Sequence, residues 1–136
     1  MIEVAPLIGI KWAEADCRQL ALRVLDALGI QVPARQAWEG ASFSEAGFVE
    51  YMTLGGDGWG LVAKGDGVGA VPATYSPEEG DVIVSFALDE SGRKMPHLSV
   101  VVDEQDRLAI TTTKAMGSMI WRIRQIQSVR SIWRRK

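Results

Sequence analysis

Apolar residues recur at three- and four-residue steps between positions 16 and 28, where Cys17, Ala21, Val24, Leu25 and Leu28 fall on one face. That is the period of an amphipathic helix. Asp16 precedes the first periodic residue and is a good N-cap, because its carboxylate accepts from the unpaired N–H groups of the first turn. Gly29 supplies a C-terminal stop and Pro33 blocks continuation. The spacing therefore predicts a helix over 16–28 with Cys17 in its first turn.

Further along, the period changes. The turn Ser76-Pro77-Glu78-Glu79-Gly80-Asp81 leads into Val82-Ile83-Val84-Ser85-Phe86-Ala87, a continuous apolar run that reads as a buried strand. A polar loop over 89–94 contains Gly92. Pro96 and His97 open the β-branched run Leu98-Ser99-Val100-Val101-Val102, and Asp103-Glu104-Gln105-Asp106 turns the chain back into Leu108-Ala109-Ile110-Thr111-Thr112-Thr113. Trp121 and Ile123 alternate with Arg122 and Arg124 as in a half-exposed strand, and Trp133 is expected to anchor the end of the chain. Residues 34–75 carry a weaker pattern. Positions 43–52 suit a short helix, and 55–60 read as a loop. Gly65-Asp66-Gly67-Val68-Gly69 lacks the lysine and the serine or threonine of a phosphate-binding loop, so it reads as a turn or a rim.

Composition bounds the picture. With 136 residues and 47% hydrophobic content, the chain suits a single domain over 1–136. No apolar run reaches the length of a membrane span. Met1-Ile2-Glu3-Val4 lacks a basic, apolar leader, which predicts synthesis in the cytoplasm without a signal peptide. One cysteine excludes an intrachain disulfide. One cysteine and one histidine would need two carboxylates to make a zinc site, and the spacing offers no such cluster, so neither metal nor cofactor is expected. Six bases and no acid lie in 116–136, leaving nine bases against seventeen acids elsewhere. The basic tract carries no nucleic-acid motif and the body is acidic, so it reads as a terminal strand docked on its own domain or on a partner.

The chemistry centres on Cys17 and His97, the only cysteine and the only histidine. A helix N-terminus favours thiolate through its positive dipole end and its unpaired N–H groups. A lone cysteine on an apolar helix face is also an ordinary small core residue. A lone histidine at a strand start is also an ordinary hydrogen-bonded structural residue. Together they make a nucleophile and a base on two elements that can pack, the arrangement of papain-like cysteine hydrolases.

Asp16-Cys17 with the helix ending Leu28-Gly29-Ile30 and then Pro33, the turn Glu79-Gly80-Asp81 entering Val82-Ile83-Val84, and His97-Leu98-Ser99-Val100-Val101-Val102 give the chain a family likeness. In order and spacing it resembles the NlpC-type cell-wall peptidases, in particular the versions encoded with bacteriophage tail genes, across about residues 9–113. The resemblance implies an α+β, papain-like fold with the N-terminal nucleophile helix packed on a central antiparallel β-sheet. It implies hydrolysis of an amide bond in the peptidoglycan stem peptide, with phage tail proteins as partners and the virion tail as destination. Cys17 would attack the carbonyl, and His97 would take the thiol proton and return it to the leaving amine. The Cys17 N–H would donate to the oxyanion.

The chain departs from the family pattern in several places. Arg18 and Gln19 stand where a serine or aromatic residue and then a glycine are usual, and Ser99 stands where a glycine commonly follows the histidine. Ile10-Lys11-Trp12-Ala13-Glu14-Ala15 lacks the tyrosine and paired glycines that often precede the nucleophile; Trp12 is a candidate cleft wall, although a tryptophan near a helix start is more often a core or staple residue. The third catalytic position, often a second histidine on the next strand, falls among Thr111, Thr112 and Thr113. A two-residue turn would put Thr112 opposite His97, whereas a three-residue turn would put Thr111 opposite Ser99 and Thr113 opposite His97. Thr111 is the candidate third member beside Cys17 and His97, and three threonines in a row are equally good plain strand residues. Two function classes follow: a cysteine endopeptidase or amidase acting on peptidoglycan, and a catalytically impaired papain-like module of a phage tail tip or assembly complex. A generic amide or thioester hydrolase is a weaker third.

Overall fold

In the computed structural model, which describes residues 2–33, 35, 38, 47, 58–88 and 91–136, helix α1 spans Cys17–Ala27. Asp16 Oδ1 accepts from the Arg18 and Gln19 N–H groups, both at 3.0 Å, and Gln19 Oε1 accepts from the Asp16 N–H at 3.0 Å. These reciprocal bonds form a capping box. At the other end Gly29 adopts φ +76°, its N–H donates to Asp26 O, and the Ile30 N–H reaches back to Leu25 O at 2.9 Å. This is the left-handed stop that a residue without Cβ makes inexpensive. Leu20, Ala21, Val24 and Leu25 are buried along the inward face.

Among the described residues six antiparallel strands form one sheet: β1 (Trp59–Lys64), β2 (Val82–Leu88), β3 (Lys94–Asp103), β4 (Leu108–Thr113), β5 (Gly117–Arg122) and β6 (Val129–Arg135). Their order is β1-β6-β2-β3-β4-β5, so the architecture is α+β. The last strand inserts between the first two, with Ile132 opposite Ile83 and Trp133 opposite Val82 on one side and Trp133 opposite Leu61 on the other.

Both faces of the central strands are covered, which is why β2 and β3 read as continuous apolar runs rather than as alternation. Val82, Val84, Leu98, Val100, Val102 and Ile110 face α1. Ile83, Val101, Ala109, Val129 and Ile132 face the other way, under Tyr75, Ile123 and Ile126. Fully burying each Val, Leu or Ile side chain among them stabilises the fold by about 1.5–3 kcal/mol.

Two polar ties fix the elements that flank the sheet. Asp81, fully buried, accepts from Tyr75 Oη at 2.6 Å, from the Glu78 N–H at 2.9 Å and from Arg134 through two bonds of 2.8 Å. Arg134 of β6 is thereby clamped to the turn that enters β2, so part of the basic C-terminal tract is spent within the fold. At the opposite edge, Ser118 of β5 donates from Oγ to Leu7 O at 2.6 Å and accepts from the Ile10 N–H at 2.8 Å. Gly117 has φ +72°, and a Cβ there would lie 2.5 Å from Ile10 O, so only glycine lets the N-terminal segment lie this close. That strap delivers Trp12 and Asp16 to the end of the sheet.

Several elements differ from the sequence expectation. The alternating tract 121–124 is not one strand: β5 ends at Arg122 and a 3-10 turn follows over Ile123–Gln125, with Ile123 fully buried. Strand β1 begins at Trp59, inside the stretch expected to be a loop, because Trp59 packs into the core beside Trp38 at a ring separation of 6.0 Å. The β2–β3 hairpin is longer than expected, with paired residues out to Leu88 and Lys94. The 65–69 segment is a turn, in which Asp66 Oδ1 accepts from the Val68 and Gly69 N–H groups. The short helix expected at 43–52 lies outside the described residues, apart from the isolated position 47.

Candidate active site

Cys17 occupies the first helical position of α1, one residue inside the cap, so the Asp16 carboxylate serves Arg18 and Gln19 and leaves the Cys17 N–H to the space at the helix end. The departures at Arg18 and Gln19 have structural roles here. Gln19 completes the capping box, and the Arg18 guanidinium lies 3.6 Å from Asp16 Oδ2.

A cavity of about 520 Å³ opens at this end of the molecule. Trp12, Asp16, Cys17 and Arg18 line it from the helix side; Leu88, Met95, Pro96 and His97 line it from the β2–β3 hairpin; Thr112 and Thr113 of β4 and Lys114 just beyond it close the cavity. Thus two separate elements bring the lone cysteine and the lone histidine to one cavity. Leu88 and Met95 are exposed, at 70% and 42%, which gives the mouth an apolar lip. A second cavity of about 540 Å³ lies around Gly29, Gly80 and Arg134 and contains neither residue.

The register of β3 and β4 pairs Val100 with Ile110 and Val101 with Ala109, and a bulge follows before Asp103 meets Leu108. Extending that register toward the cavity places Ser99 across from Thr111 and His97 across from Thr113, the longer-turn alternative. The imidazole bonds diagonally: His97 Nε2 lies 2.7 Å from Thr111 Oγ1, and Ser99 Oγ donates to the same oxygen at 3.1 Å. The direction of the Thr111–His97 bond follows the ring tautomer: with the proton on Nε2, Thr111 accepts and the lone pair of Nδ1 is available.

Alternation along β3 sends Leu98 toward α1 and His97 toward the opposite face. The Leu98 backbone N–H is directed at the Cys17 sulfur. In the resting geometry, therefore, the thiol lies on the α1 side under the main chain of β3, while the imidazole, on the other side, is held by Thr111.

Electrostatics keep both groups neutral. Cys17 is only 6% exposed, and burial pushes its thiol up to about 11; the Leu98 N–H pulls the other way, and the opposed charges of Asp16 and Arg18 act in opposite directions. This corrects the expectation of a resting thiolate, because desolvation of the charge outweighs the helix terminus. Burial likewise pushes His97 down to about 4.

Sequence reasoning did not identify the Leu98 N–H, since a main-chain donor has no residue signature. The walls at Leu88 and Met95 come from the outer part of a hairpin longer than the apolar runs mark, and Lys114 follows β4. No group of three or more His, Cys, Asp or Glu side chains is placed to hold a metal among the described residues. No protein-family model, curated protein or solved structure matches this chain.

Proposed function

We propose that this protein is a papain-like cysteine hydrolase acting on amide bonds of the peptidoglycan stem peptide, in phage tail assembly or cell entry. The observation that carries the reading is the convergence of Cys17, at the first position of a capped helix, and His97, anchored through Nε2 by Thr111, on one cavity. The substrate class and the phage setting rest on the sequence resemblance alone.

The mechanism begins from two neutral groups. As a carbonyl carbon enters, the Cys17 thiol proton passes to His97 Nδ1 by way of a water in the cavity that both residues line, because the imidazole sits on the other face of β3, while sulfur bonds to carbon and the carbonyl electron pair moves onto oxygen. The Cys17 N–H is placed to donate to that oxyanion. Collapse expels the amine, which takes the proton from His97, and leaves a thioester. Water, deprotonated by the same imidazole, then frees the acid and restores the thiol. Thr111 holds the ring and accepts from Nε2–H, so it acts as a positioning residue.

A second reading, a papain-like structural module with impaired catalysis, draws on a different observation. Burial disfavours both members of a thiolate–imidazolium pair, and the ring's partner is an uncharged hydroxyl that stabilises imidazolium less than a carboxylate would. Incubation with purified sacculi and soluble muropeptides separates the two readings. Release of amine-bearing fragments by the native protein but not by Cys17→Ala supports the hydrolase, and product masses identify the bond. An intact substrate in both samples favours the structural module.

A further inference from the structure

The Thr112 hydroxyl has no use in the resting protein. Its side chain is fully buried, its Oγ1 has no hydrogen-bond partner among the described residues, and the residue lines the cavity that contains Cys17. The polar side chains around it are engaged. Thr111 meets His97 and Ser99, Thr113 Oγ1 accepts from the Met116 N–H, and Ser118 ties the N-terminal strap. An orphaned buried hydroxyl is rare in folded proteins and calls for a partner that arrives later.

Its position says which partner. Thr112 follows Thr111 on β4, so the two side chains leave on opposite faces: Thr111 toward His97, and Thr112 toward the α1 side. The register carried from Val100 and Ile110 sets Thr112 beside Leu98, whose N–H is directed at the Cys17 sulfur. Thr112 therefore shares with Cys17 both the α1 side of the sheet and the wall of one cavity.

We propose that Thr112 Oγ–H is a substrate-contacting donor for the carbonyl oxygen of the acyl group that Cys17 attacks, working with the Cys17 N–H as a two-donor oxyanion site. This rests on the hydrolase reading and deepens it by assigning the second donor to a side chain. In the step, the C–S bond forms and the carbonyl π pair moves onto oxygen, where Thr112 and the Cys17 N–H donate. The thiol proton goes to His97 by way of water in the cavity both line, and as the pair returns to re-form C=O the C–N or C–O bond breaks and the leaving group takes that proton back from the imidazole. The donor is preorganised because no other group competes for it.

The test compares two reactions at Cys17 in the full chain: acylation by p-nitrophenyl acetate, which builds an oxyanion, and alkylation by iodoacetamide, which does not. Thr112→Val, nearly isosteric, is expected to slow acylation by roughly tenfold or more while alkylation stays within about twofold of native. Its melting temperature should hold or rise, because nothing bonded is lost. Thr112→Ser, which keeps the hydroxyl, should restore acylation. Native acylation rates in Thr112→Val would overturn the proposal and leave the hydrolase reading standing. Parallel loss of acylation and alkylation, or unfolding of Thr112→Val, would overturn it by showing that the hydroxyl serves the resting structure. A native protein that alkylates at Cys17 but never acylates would bring down the hydrolase reading and this inference with it.

Discussion

His97 and Thr111 are joined at 2.7 Å between Nε2 and Oγ1, although the strand register places Thr111 across from Ser99 rather than from His97. The diagonal contact works because the imidazole is long enough to cover two positions along the neighbouring strand. Ser99, short and buried, leaves room for it and adds its own bond to the same oxygen.

Thr111→Val should therefore release the ring while keeping the volume of the strand. Stability is expected to fall by about 1 kcal/mol for the lost bonds. Acylation at Cys17 should slow by about tenfold or more, because the base loses its orientation. Thr111→Ser should recover most of both. Denaturant titration and burst kinetics on the three proteins, with the His97 ring tautomer followed by NMR, separate a positioning role from simple packing.

The thiol at about 11 sets the pH dependence of reactivity. At neutral pH the thiolate fraction should be about a hundredfold below that of a cysteine with the ordinary value near 9.0. Without a substrate, the iodoacetamide rate should climb with pH toward an inflexion near 11. His97→Ala should change the resting rate little, since no ion pair with the imidazole activates the sulfur. An inflexion near neutral pH that disappears in His97→Ala would instead show a resting thiolate–imidazolium pair.

Acid stability should follow His97. Its folded value, about 4, lies below the ordinary 6.5, so the unfolded chain binds the proton more readily over that interval. The folded state is then favoured above 6.5 and loses part of its stability as pH falls through 6.5 toward 4. His97→Gln removes the titrating group, and its melting temperature should decline less steeply across the same window. Parallel declines in the two proteins would move the effect elsewhere.

Asp81→Asn tests the tie at the other end of the sheet. The buried carboxylate holds Arg134, Tyr75 and the turn into β2, and losing charged hydrogen bonds of this kind costs about 1.5–3 kcal/mol, since Arg134 is partly exposed and keeps Glu78 as a partner. A large fall in denaturation midpoint is expected. The alkylation rate of whatever protein stays folded should match native, because Asp81 lies outside the Cys17 cavity.

What the sequence determined by itself was local. Asp16, the apolar period and Gly29 defined α1 to within a residue at each end, because caps and periodicity act over one turn. The runs at 82–87 and 108–113 marked β2 and β4 because β-branched residues bounded by turns have few other uses. The pairing of Cys17 with His97 as candidates also came from the sequence, as did Thr111 among its alternatives.

Tertiary structure alone decided the rest. Strand β1 becomes a strand because β6 and Trp38 give Trp59 a place to pack, and the turn over Ile123–Gln125 forms because Ile123 is drawn under the far face of the sheet. The bulge before Asp103 set which threonine reaches the imidazole, a one-residue matter that no propensity encodes. Desolvation reversed the direction in which the helix terminus was expected to move the thiol, since burial depends on every element packed around Cys17. The stray hydroxyl of Thr112 has the same origin: in the sequence it is one of three threonines, and only the packed sheet leaves it without a partner beside the nucleophile.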